Sequence, residues 1–242
     1  MEGARVQLVV TCLVDAVSPR VGRAAVTALE RAGCRVEFPE GQTCCGQPAL
    51  NTGHIDQARE MATHTLDVLD ATEGPIVIPS GSCTEMMVHH YPRLFAGTDR
   101  EEQANRVVAR VRELTQFLAD DLDTHIRATA GDRTLAFQYC CHGLRGLGLD
   151  GPADHLLYGV DRAQFDGDRE CCGFGGLFSI EMPAVSGAIM DAKLDRLERS
   201  GAEVLSGGDI SCLLHLEGGL RRRGSKIEVR HIAELLSGEN LI

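Results

Sequence analysis

The chain has no tryptophan, and three tyrosines and seven phenylalanines hold its aromatic content to 4% of 242 residues. That shortage argues against a surface that grips single-stranded nucleic acid by stacking bases on aromatic rings. Positive charge is also scarce. Twenty-four Lys and Arg stand against 35 Asp and Glu, a net charge of −11, which disfavours phosphate backbones as partners. No apolar stretch approaches the roughly 20 residues needed to span a bilayer; short runs such as Val6–Val10 read as strands. The opening Met1-Glu2-Gly3-Ala4-Arg5 carries neither the charged nor the apolar region of a secretory signal. The expected location is therefore the cytoplasm, where thiols stay reduced.

What the chain has instead is cysteine. Ten are present, and in a reducing compartment they point to metal or redox chemistry rather than to disulfides. Eight of them form two matching sets, Cys12, Cys44, Cys45 and Cys83, then Cys141, Cys171, Cys172 and Cys212. Equivalent members are 129, 127, 127 and 129 residues apart. In both sets the adjacent pair is followed by glycine, Gly46 and Gly173. Neighbouring side chains of an extended strand point opposite ways, so a turn has to bring each pair to one ligand, and glycine can take the backbone angles such a turn needs.

The repeat extends beyond the cysteines. Strands are expected at Val6–Val10 and Thr134–Gln138, each running into its first cysteine. Helices follow at His54–Ala71, with Ile55, Ala58, Ala62, Leu66 and Leu69 on one face, and at Pro183–Ser200, with Val185, Ile189, Leu194 and Leu197. Gly74 and Gly201 fit as helix stops. Further strands at Ile76–Ile78 and Glu203–Leu205 lead into Ser-Gly loops that carry Cys83 and Cys212. A helix is expected over Thr98–Leu122, opened by a capping box at Asp99 and Glu102 or at Thr98 and Glu101. The polar segment Ala119–Arg133 reads as the connector between halves.

The expected fold is α/β, with two pseudo-symmetric repeats over residues 1–127 and 128–242. Each would be a small parallel sheet flanked by helices, with its cysteine loops gathered at the strand carboxyl ends.

Four thiolates per half suit an iron–sulfur cluster, most simply [4Fe–4S], one or two per chain. A multinuclear cluster offers several metal corners and tolerates a vicinal pair better than a single ion does. Zinc is the alternative, in one or both halves, although the C-x-x-C spacing familiar from zinc sites is missing. Metal-free thiol–disulfide chemistry and simple packing of small buried thiols are the remaining readings. Cys34, near the helix-ending Gly33 and Val36, reads as a packing residue. Cys140 adjoins Cys141 and could be a fifth thiolate, but its counterpart is Thr11 and the repeat does not support a shared role.

Other groups give weaker signals. His142 and Arg145 could hydrogen-bond cluster sulfurs or bind a carboxylate, or could simply cap a turn. His89-His90 and Arg221-Arg222-Arg223 read as solvated helix faces, and the basic triplet could also dock an acidic partner. Gly173-Phe174-Gly175-Gly176 reads as a tight turn around a cluster, since it lacks the strand and frame of a dinucleotide-binding loop. No nucleotide P-loop appears, and no catalytic residue is assigned. Whether the isolated chain is an enzyme stays open.

With these motifs the chain resembles the cysteine-rich CCG-domain family, in particular its lactate-utilisation branch. The resemblance rests on Pro79–Cys83, Cys141–Arg145, Cys171–Ser179 and Gly207–Leu213. More distant likenesses are to the cysteine-rich subunit of heterodisulfide reductase and to the iron–sulfur subunit of glycolate oxidase. The resemblance implies clusters held by the eight cysteines, or occasionally zinc. It implies electron transfer within a complex that oxidises L-lactate to pyruvate, alongside a ferredoxin-like iron–sulfur subunit and a third, smaller subunit. In the heterodisulfide reductase pattern each repeat ends in C-x-x-C. Here Met86 and His215 stand at those positions, which counts against five thiolates of that type and against heterodisulfide reduction.

Overall fold

A computed structural model describes residues 3–238. Among the described residues seven strands form two all-parallel sheets. The first has the order β2-β1-β3-β4, built from β1 (Arg5–Leu8), β2 (Arg35–Glu37), β3 (Ile76–Ile78) and β4 (Val111–Glu113). The second has the order β5-β6-β7, from β5 (Leu135–Gln138), β6 (Val204–Gly207) and β7 (Glu228–His231). The sheets share one plan. On the far side of β5, where the first half has β2, the second keeps only a parallel bridge between Leu135 and Arg162. Helices follow the strands, as parallel connections require.

Both long helices of the repeat form, as Ile55–Asp70 and Pro183–Arg199. Gly201 follows the second directly, whereas the first ends well before Gly74, whose role is different: a Cβ there would stand 2.5 Å from the Arg5 carbonyl oxygen. In Pro183–Arg199 the buried face is Ser186, Met190, Lys193, Leu194 and Leu197. Val185 is 45% exposed and Ile189 only partly buried, so the helix is rotated from the expected face.

The single helix expected over Thr98–Leu122 is instead four elements. A helix spans Glu101–Ala109, β4 follows, and helical turns run over Leu114–Gln116 and Phe117–Asp121. Val107, Val108 and Val111 suit either state; Val107 and Val108 stay helical, and parallel pairing of Ile76–Ile78 with Val111–Glu113 decides for strand at Val111. The expected capping box is not made. Arg100 is the cap residue without a side-chain bond, and Glu101 accepts from Gly97 N at 2.8 Å. The connector begins later than expected, since Ala119 is buried in a helical turn.

The two halves exchange their last helices. Ile232–Ser237 packs on Pro19–Arg31 of the first half, where Arg31 Nη1 donates to Leu236 O at 2.5 Å and Arg20 lies 3.3 Å from Glu234. Correspondingly, the turns over 114–121 lie against Gly151–Leu156 of the second half. One apolar cluster therefore runs from Val6 and Leu8 through Leu114 and Phe117 to Leu205 and Leu236. Among the described residues no helix is long and apolar enough to cross a membrane.

Candidate metal centre

All eight repeated cysteines line one cavity of about 520 Å³. Most arrive there because they follow a strand carboxyl end; Cys171 and Cys172 come from the segment after the isolated bridge at Arg162. Cys12 opens the helix Cys12–Val17 after β1, and Cys44-Cys45 lie in the loop beyond β2. Cys83 lies in the first turn of Gly81–Glu85 after β3. In the second half Cys141 follows β5, and Cys212 lies in the helix Ile210–Arg222 after β6. Neighbouring connections on opposite sides of β1 leave a crevice at such ends.

The vicinal pairs are turned as expected. Gly46 and Gly173 have φ of +87° and +92°, the left-handed region that side chains resist. A Cβ on Gly173 would also stand 2.6 Å from Ser186 O. Each turn is pinned from outside the cavity. Tyr91, buried, donates its hydroxyl to Cys45 O at 3.0 Å. In the second half Lys193 Nζ donates to Glu170 O at 2.9 Å, and to Gly167 O and Gln138 Oε1. Burial pushes this ammonium down to about 8. Gln42 ties the cysteine loop of the first half to β1, accepting from Val10 N at 2.9 Å and donating to Leu8 O at 2.8 Å.

The sulfurs form the same chain in both halves. Thiol interactions link Cys12 to Cys44, Cys44 to Cys45 and Cys45 to Cys83, the last at 3.5 Å. They likewise link Cys141 to Cys171, Cys171 to Cys172 and Cys172 to Cys212, the last at 3.0 Å. Interaction with the Cys12 and Cys45 thiols holds Cys44 down at about 2, and Cys141 with Cys172 holds Cys171 at about 2. The outer partners Cys12 and Cys141 are pushed up by those same contacts. Backbone amides add hydrogen bonds, Gly173 N to Cys171 Sγ at 3.3 Å and Phe174 N to Cys172 Sγ at 3.4 Å. Four crowded sulfurs cannot all ionise together without a cation between them, because like charges at such distances disfavour each other. The donor set fits a thiolate-bound metal group, and the cavity has room for more than a single ion.

A ninth cysteine is present at the cavity. Cys140 lines it, with Asp209 beside it, and Cys140, Asp209 and Cys212 offer ligand atoms within 4.8 Å of one another. Asp209 is buried and caps Ile210–Arg222. Burial pushes its carboxyl up, but hydrogen bonds from Ser211, Ser82 and Ser80 prevail and hold it below its ordinary range. Sequence reasoning missed Asp209 and Lys193 as structural members of the site. The signal for Lys193 was its position three residues after Met190 and four before Leu197, on the apolar stripe. Asp209 matches Ser80 in the repeat.

Of the other candidates, most lie away from the cavity. His142 reaches the cavity lining, and its Nδ1 is 3.1 Å from Glu85 Oε2. Arg145 points away and donates to Arg169 O at 3.2 Å. Cys34 and Met86 are core residues outside the cavity. His215 packs at 5.9 Å from the Phe174 ring and is not on the lining. His89 is exposed and engages Gly146 O at 2.8 Å. Of the basic triplet, Arg223 is bound to Asp191, Asp195 and Glu198.

Comparison with known proteins gives a consistent picture. The model of the cysteine-rich CCG domain matches twice, over residues 6–88 and 135–217. "Lactate utilization protein A" of Bacillus cytotoxicus is 40% identical over 240 residues, which cover 98% of this chain and 100% of that protein. The protein of the same name from Geobacillus kaustophilus is 40% identical with the same coverage. Among solved structures, a hypothetical protein from Helicobacter pylori aligns with a TM-score of 0.61 at 11% identity, covering 98% of this chain and 49% of that one. That likeness speaks to the fold alone.

Proposed function

The chain belongs to the cysteine-rich CCG-domain family, and on that premise we propose that it is an iron–sulfur electron-transfer subunit of a complex that oxidises L-lactate to pyruvate. The coarser part of the reading, a metal-binding protein of lactate utilisation, is supported by relatives of that name along the full chain and by the doubled domain. The observation that carries the finer part is the meeting of two matching four-sulfur chains in one cavity.

The repeats, residues 1–127 and 128–242, each supply one ligand set. Cys12, Cys44, Cys45 and Cys83 would hold the first centre, and Cys141, Cys171, Cys172 and Cys212 the second. Iron–sulfur clusters bound there supply reversible one-electron chemistry. The protein's own contribution is to hold the sulfurs and direct the amides of Gly173 and Phe174 at them. Tyr91 and Lys193 keep the cysteine turns rigid. Such outer contacts tune a metal group as much as its ligands do. Ile180, on the cavity lining and 73% exposed, gives the mouth an apolar edge against which a partner subunit can close. The expected partners are a ferredoxin-like iron–sulfur subunit and a third small subunit, in the cytoplasm.

The deciding experiment is iron, sulfide and zinc content of anaerobically purified protein, with an absorption spectrum of the same sample. Brown protein with several irons and sulfides per chain is the expected result. Colourless protein with stoichiometric zinc, unchanged by anaerobic reconstitution, overturns the reading in favour of a zinc-holding scaffold.

A further inference from the structure

The two halves are not equivalent at the cavity. Where the first half has Thr11 and Ser80, the second has Cys140 and Asp209. Cys140 is 6% exposed and lines the same cavity as the eight repeated cysteines. Its thiol interacts with that of Cys212, so the second sulfur chain, Cys141–Cys171–Cys172–Cys212, continues by one further member. Space for this sulfur is provided across the junction of the halves. A Cβ on Gly81 would stand 3.3 Å from Cys140 Sγ and 3.1 Å from the Gly143 backbone.

Asp209 differs in kind from the sulfurs. Its Oδ2 accepts from Ser80 Oγ at 3.0 Å, Ser82 N at 2.9 Å and Cys140 Sγ at 3.6 Å. Its Oδ1 accepts from Ser211 N at 3.1 Å and from the Ser211 hydroxyl. A carboxylate offers about four lone-pair sites, so this one is fully engaged and is not a free ligand. It holds the protonated Cys140 thiol beside Cys212.

We infer that Cys140, held beside Cys212 as a thiol by Asp209 before ligation, becomes a fifth thiolate of the second centre, and that the two centres of the chain are therefore chemically unequal. The inference rests on the iron–sulfur reading of the cavity. Ligation breaks the Cys140 S–H bond, forms a sulfur–metal bond and releases the proton to water; no electron is transferred in that step. An extra anionic ligand, with the Asp209 carboxylate behind it, stabilises the oxidised state. The second centre therefore has the lower reduction potential, since net charge is one of the quantities that set it.

The test is anaerobic reconstitution with iron and sulfide of the wild type and of Cys140→Ser, Cys140→Ala and Cys34→Ala. The readouts are iron per chain, low-temperature EPR of the reduced protein and a potentiometric titration. The signal lost in Cys172→Ser marks the second centre. Both Cys140 variants are expected to change that signal and raise its potential while leaving the first centre alone, and Cys34→Ala is expected to change neither. Cys140→Ser keeps a donor for Asp209 and carries the test should the alanine variant fold poorly. Full iron with unchanged signals and potentials in the Cys140 variants overturns the fifth ligand alone. Wild-type protein that takes up no iron overturns it together with the functional reading.

Discussion

Ser80 and Asp209 occupy equivalent places in the two repeats and are hydrogen-bonded to each other, Ser80 Oγ donating to Asp209 Oδ2 at 3.0 Å. Each is also the N-cap of the helix bearing the last cysteine of its half. Gly81 N donates to Gly208 O at 3.3 Å alongside them. One contact thus caps two helices, joins the halves and fixes the distance between the two sulfur sets.

Removing either partner should be felt in both halves. Asp209→Ala loses a cap and leaves the buried Ser80 hydroxyl and Ser82 amide short of an acceptor, a cost of about 3 kcal/mol. Ser80→Ala should cost about 1 kcal/mol. Urea unfolding of both single variants and the double variant should give a coupling of about 0.5 kcal/mol or more. Simple additivity would mean that the contact contributes nothing.

The two cysteine sets should be separable. Cys172→Ser is expected to abolish the second centre and spare the first, and Cys45→Ser to do the reverse. Iron analysis and EPR on each variant check this. Loss of both centres in a variant that still melts cooperatively would point to one shared site.

The glycine after each cysteine pair should differ in its tolerance of a methyl group. Alanine at either position meets a positive φ, a strain of about 1–2 kcal/mol. At Gly173 it also meets Ser186 O at 2.6 Å, whereas the nearest atom at Gly46 is Ala58 O at 3.1 Å. Gly173→Ala should therefore lower the melting temperature and metal occupancy more than Gly46→Ala. The opposite ranking in thermal melts would refute the geometry.

Glu113 should give the fold a pH dependence of its own. It is buried, caps the turn at Leu114–Gln116, and has one carboxylate oxygen without a partner. Burial pushes its carboxyl up from 4.5 to about 7. The folded protein therefore keeps a proton that the unfolded chain releases. The resulting stabilisation is complete below about 4.5 and is lost as pH rises through about 7, in total about 3 kcal/mol. Glu113→Gln should flatten this loss, read from urea midpoints between pH 5 and 8. Equal slopes in wild type and variant would exclude Glu113 as the titrating group.

Much of the site was legible because its signal is local and repeated. Cysteine spacing, the glycine after each pair and the alternation of strand and helix are written along the chain. Parallel strands then bring their carboxyl ends together whatever the finer packing. Less legible were features that depend on what a segment meets. Nothing in the run Val107–Val111 marks where helix gives way to strand until Ile76–Ile78 offers Val111–Glu113 a pairing edge. The buried face of the helix Pro183–Arg199 includes Lys193, whose ammonium reaches three oxygen acceptors that the sequence does not announce.

The sequence by itself determined that there are two matching cysteine sets on an α/β repeat, since both facts follow from spacing and periodicity. Only the tertiary structure decided that the two sets share one cavity, that each half lends its last helix to the other, and that Cys140 and Asp209 lie beside Cys212 of the second set. The physical reason is that these are contacts between segments far apart in the chain. Burial of apolar surface and pairing of buried polar groups select them, and neither can be evaluated until the fold has brought the segments together.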